Sequence, residues 1–137
     1  ITGKGGPTHG VKRERLRARR ERERRALIQR WSEWRTVWTF VMFDLPVATP
    51  EQRHDYAVFR KRLLELGFTK LQYSVYARFL PSEEKAEAVV RRVSEILPPE
   101  GQVRILEITG KQFEKMHVFY GTRQRPPENP PQQLELF

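Results

Sequence analysis

The chain has 137 residues, 26 Lys or Arg against 17 Asp or Glu, a net charge of +9, and no cysteine. That length is one domain with appendages. The missing cysteines exclude a disulfide framework, a Cys-based zinc site and a thiol nucleophile, and no apolar run is long enough to span a bilayer or act as a signal peptide. A soluble, cytoplasmic protein is expected.

The charge is concentrated at one end. Residues 1–37 hold twelve basic and four acidic residues, a net +8, which leaves +1 for residues 38–137. Such an arginine excess points to a polyanion. The start, Ile1–Gly10, is Gly-rich, lacks an initiator Met and is set aside from fold reasoning. Val11–Val37 is rich in helix formers, and Glu21 stands four residues before Arg25, a favourable ion-pair spacing. Apolar residues are nearly absent until Leu27, Trp31, Trp34 and Trp38, so only the last turns have a face to dock. Residues 1–37 are read as a basic leader, partly helical or disordered. It is either a solvated arm or one that lies along a phosphate backbone through Arg17, Arg20 and Arg24.

Residues 38–45, Trp-Thr-Phe-Val-Met-Phe-Asp-Leu, predict a buried strand stopped by Pro46, with Asp44 at its carboxyl end. There a carboxylate is within reach of a metal or a phosphate. The plainer reading makes Asp44 the start of an Asp-Leu-Pro turn. Thr49-Pro50-Glu51-Gln52 predicts a capped helix start, with Tyr56, Phe59, Leu63 and Leu66 on one face and Gly67 as terminator. Phe68–Leu80 alternates apolar and polar residues and reads as a second extended region. Pro81-Ser82 stops it and caps a helix that buries Ala86, Val89, Val90, Val93 and Ile96/Leu97 before Pro98-Pro99. Gln102–Thr109 and Phe113–Tyr120 read as two further strands joined by Gly110-Lys111. Arg123–Pro131 is a stiff proline-rich spacer, and Gln132–Phe137 has a short strand pattern suited to the edge of a partner's sheet.

The fold class expected is α+β, a ferredoxin-like β-α-β-β-α-β plait over residues 38–122, with residues 123–137 as linker and docking strand. Both faces of strand 38–45 are apolar: Phe40 and Met42 share a face with Asp44, while Val41, Phe43 and Leu45 take the other. Helices cover only one of these faces. A homodimer packed sheet to sheet is therefore expected, and it would bring the two Asp44 residues towards each other.

Phe40-Val41-Met42-Phe43-Asp44-Leu45-Pro46, Phe59-Arg60-Lys61, Gly67-Phe68, Leu71-Gln72-Tyr73-Ser74-Val75-Tyr76 and Leu134-Glu135-Leu136-Phe137, in that order, resemble the CRISPR-associated protein two family. This is the small subunit of the spacer-acquisition machinery, here with a type II flavour. The resemblance covers residues 38–137 and leaves the leader out. It implies a ferredoxin-like homodimer whose C-terminal strand adds to the neighbouring subunit. It implies Asp44 as catalytic residue and ligand of Mg²⁺, or another divalent cation, in phosphodiester cleavage of RNA or DNA. It also implies a scaffold role, bridging copies of the larger integrase subunit along double-stranded DNA.

On the residues alone, one Asp per subunit is a poor metal site, and two symmetry-related Asp44 carboxylates make a better one. Ser74 is an auxiliary candidate for orienting a phosphate or water, set against a plain packing role. Asp55 and Glu51 read as helix-start charges, His54 as solvated, and His117 as a packed or surface histidine. Backbone contacts from Arg53, Arg60, Lys61 and Arg78 would suit a protein that must accept any sequence. Three functions follow: a DNA scaffold with metal-dependent endonuclease activity as a second capacity, a toxin-like metal-dependent endoribonuclease on the same fold, and an RNA-recognition module. The last is disfavoured because strand 102–108 has no aromatic residue.

Overall fold

The computed structural model describes residues 9–131, except the side chains of 29–34. The chain divides into two units, residues 1–32 and 33–137. Helix α1, His9–Arg35, contributes most of the described part of the first, and residues 9–28 are exposed along it. The side chains of Trp31 and Trp34 and the strand expected at 132–137 lie outside the described residues.

The second unit follows the order β1 (Val37–Asp44), α2 (Pro50–Glu65), β2 (Thr69–Gln72), β3 (Val75–Leu80), α3 (Glu83–Glu95), β4 (Gln102–Thr109), α4 (Gly110–Glu114), β5 (Val118–Tyr120) and β6 (Arg123–Arg125). The first four strands form one antiparallel sheet in the order β2-β3-β1-β4. With α2 and α3 this is the ferredoxin-like plait.

Local chemistry accounts for the boundaries. Thr49 and Gln52 close a capping box over Pro50, and the amides of Gly67 and Phe68 bond back to Leu64 and Leu63 as a C-terminal lock. Gly67 takes φ +86°, which a side chain would resist. Ser82 caps α3, whose buried stripe is Ala86, Val89 and Val93, with Ile96 partly buried. Leu97 is exposed instead, because the helix has already ended.

Two expectations are corrected. Phe68–Leu80 is not one strand but a hairpin, turned at Tyr73-Ser74 with Ser74 at φ +70°. Phe113–Tyr120 is not the fourth sheet strand. Thr109 and Gln112 close a second capping box that starts α4, and Val118–Tyr120 pairs with Arg123–Arg125 in a separate hairpin. The fourth sheet strand is β4, beside β1.

The core has two sides. Val37, Val41 and Phe43 of β1 pack with Phe59, Leu63, Tyr76, Leu80 and the α3 stripe. On the opposite face Trp38 and Phe40 pack with Ala77 and Phe113. Trp38 stacks on Phe113 at a centroid distance of 4.0 Å, so α4 covers part of the face expected to be bare. Another part of that face forms a groove of about 450 Å³ along Phe40, Met42, Val75, Leu106, Ile108 and Phe119.

Candidate functional site

Asp44 ends β1, pairs with Gln102 of β4 and is exposed. Its strand position puts it on the face of Trp38, Phe40 and Met42. The backbone around it is closely held. The Phe43 amide donates to the Ser74 carbonyl at 3.1 Å, which draws the β2–β3 turn against the end of β1. Gly101 takes φ +95°, and a Cβ there would stand 2.7 Å from the Asp44 carbonyl oxygen. Only glycine permits that approach.

The loop after Asp44 is fixed by side chains of α2. Gln52 Oε1 accepts from the amides of Ala48 (2.9 Å) and Thr49 (3.0 Å), while its Nε2 donates to Glu100 at 2.9 Å. Arg53 donates Nη1 to the carbonyls of Val47 and Ala48, each at 3.2 Å. Arg53 therefore braces this loop, a role the sequence reading missed. Thr49 with Gln52 three residues on was the available signal for Gln52; nothing local announces Gly101.

The other named residues fall in different places. Ser74 lies in the turn beside the end of β1, so the structure does bring it to the Asp44 end of the sheet. Arg60 and Lys61 are exposed on α2. Burial raises the pKa of the Tyr76 phenol, and the Arg60 charge opposes the rise. Arg78 is half-buried and donates Nη1 to the Leu66 carbonyl at 2.7 Å, clamping the end of α2. Loss of hydration, with repulsion from Arg92, lowers its pKa. Arg17, Arg20 and Arg24 are exposed on α1, in the other unit. His117 precedes β5, with its Nδ1 3.2 Å from Gln124 Nε2. It is not on a sheet strand.

A divalent cation takes hard oxygen donors, and the Asp44 carboxylate is one. Among the described residues, however, no group of three Asp, Glu, His or Cys side chains is arranged to hold a metal. The donor set of the described part of one chain does not fit a metal centre.

The element order and the sheet order define a ferredoxin-like α+β protein, with the exposed Asp44 at the end of an inner strand. The family model described as CRISPR associated protein Cas2 matches residues 37–116, and the chain belongs to that family. It is 48% identical over 101 residues to a protein of Parvibaculum lavamentivorans named CRISPR-associated endoribonuclease Cas2, covering 74% of this chain and all of that one. A Flavobacterium psychrophilum protein of the same name is 43% identical over 108 residues, covering 79% of this chain and 94% of that one. A crystal structure of a cas2 protein is 23% identical and covers 70% of this chain and 98% of that chain, with a TM-score of 0.45. No helix among the described residues is long and apolar enough to cross a membrane.

Proposed function

We propose that this protein is a CRISPR adaptation subunit that binds double-stranded DNA and scaffolds the larger integrase subunit during spacer acquisition. The observation that supports this reading is the family match over residues 37–116 together with the exposed basic pair Arg60 and Lys61 on α2, while one exposed Asp44 carboxylate per chain leaves any cation site to be completed by a second copy. A homodimer packed through the apolar groove beside β1 is part of this reading. Mg²⁺ enters it only as a cation shared by two Asp44 carboxylates, one from each subunit. Arg60 and Lys61 supply phosphate contacts from the folded body, positioning the duplex without reading bases.

The second reading is a metal-dependent endoribonuclease, favoured by the name carried by the relatives 43% and 48% identical to this chain. Both are tested with the full chain and its Asp44→Ala variant on a duplex of about 30 base pairs and on single-stranded RNA, with and without Mg²⁺, across a salt series. The scaffold reading expects DNA that stays intact and binding that Asp44→Ala leaves unchanged. Mg²⁺-dependent RNA cleavage that disappears in Asp44→Ala would put the nuclease first.

A further inference from the structure

The described part of α1 is polar or charged nearly all round. It has 27 residues, about 40 Å at 1.5 Å per residue, and no acid in its first turn. Its large apolar residues Val11, Leu16, Leu27 and Ile28 are exposed. At 3.6 residues per turn Val11 and Ile28 point away from Leu16 and Leu27, which share a direction but stand about three turns apart, so the four make no continuous apolar face. A helix lying on a lipid surface needs such a face. A docking helix needs one too.

The basic residues of the first turns, by contrast, are ordered, with Arg25 outside the pattern. Arg13, Arg17, Arg20 and Arg24 follow at spacings of four, three and four and form one stripe free of acids. Lys12, Arg15, Arg19 and Arg22 form a second stripe, roughly 150° around the helix from the first. Glu14 and Glu21 lie on the wide arc between the stripes, outside both. Glu23 accepts from Arg19 at 3.0 Å, and both side chains remain largely exposed.

Two stripes so far apart cannot both meet a flat anionic surface. A groove with phosphates along both walls meets both at once. The major groove of B-form DNA is about 12 Å wide and admits an α-helix, whereas that of A-form RNA is too narrow. We propose that α1 is a duplex-DNA arm that lies in the major groove, with Arg13, Arg17, Arg20 and Arg24 against one phosphate wall and Lys12, Arg15, Arg19 and Arg22 against the other. Contacts to phosphate hold it without selecting sequence. This inference deepens the double-stranded DNA reading above and rests on it for the choice of partner, while using residues outside the span matched by the family.

The test uses the full chain and three variants: one with the first stripe changed to Ala, one with the second, and one with Arg60→Gln and Lys61→Gln in the body. Alanine favours helix, so both stripe variants keep α1, which circular dichroism checks. Binding to a 30-base-pair DNA, the matching RNA duplex and vesicles containing anionic lipid is measured against salt. Each neutralised phosphate contributes about 0.9 to the logarithmic salt slope. Each stripe variant should therefore lose about 3 to 4 from the slope on DNA and change binding to duplex RNA little.

A loss confined to one stripe overturns the groove geometry. Equal losses on DNA and RNA, or stripe-dependent vesicle binding that exceeds DNA binding, overturn the choice of partner. Stripe losses with no effect of the body variant would sustain the arm and remove the body contacts from the functional reading. No duplex binding by the full chain overturns both.

Discussion

Thr39 is the sharpest case of a single residue at odds with its surroundings. It is fully buried in β1, and among the described residues its hydroxyl has no hydrogen-bond partner. An unmatched buried hydroxyl has lost water without replacement, which costs about 1–3 kcal/mol. Thr39→Val keeps the branched shape that β-strands favour and deletes the unmatched oxygen. The variant is expected to gain about 1 kcal/mol, read as a higher urea midpoint with an unchanged slope. An unchanged or lowered midpoint would show that the hydroxyl is satisfied in solution. The Asp44 end of the same strand illustrates what single residues reveal in sequence. Its place after an apolar run and before Pro46 was legible at once. The close approach of Gly101 was not, because it depends on β4 pairing with β1 across 57 intervening residues.

Among the elements, helices and capping chemistry were the most legible. Thr49, Ser82 and Gly67 each act where their type predicts, because a cap is a local bond between near neighbours. The hairpin inside Phe68–Leu80 was hidden for the opposite reason. Its turn carries no Gly, Pro, Asn or Asp, and Ser74 occupies a left-handed conformation that the sheet imposes. The sequence did carry a signal for α4: Thr109 and Gln112 have capping-box spacing, yet the apolar residues that follow read as a strand. That cap holds Phe113 against Trp38. Thr109→Ala is expected to cost about 1 kcal/mol. It should also shift Trp38 emission selectively, which is measured against the Trp31→Phe/Trp34→Phe background. Stability and emission both unchanged would mean that α4 is held by packing alone.

For the whole molecule, the open sheet face is the dominant property. Leu106 is 48% exposed and Phe119 58%, both along the groove beside β1. A contiguous apolar surface of this kind is what a two-fold partner would cover. Leu106→Lys adds a charge at the groove without touching the helix-side core. Sedimentation is expected to show the parent as a dimer and the variant as a folded monomer at the same concentration. A monomeric parent, or a variant that still dimerises, would move the interface elsewhere. This scale was partly legible: alternation along β1 showed that both faces were apolar, but not that residues 110–116 would cover part of one.

β1 is an inner strand, bonded to β3 along one side and β4 along the other. Its amide protons therefore have no route to deuterium by fraying from a free edge. Those at Thr39 and Val41, which have partners on both sides, exchange only when the sheet itself opens, placing them among the slowest of the described residues. The backbone that carries Asp44 thus belongs to the last segment to yield. Whatever meets that carboxylate, whether nucleic acid, cation or a second subunit, has to do the adjusting.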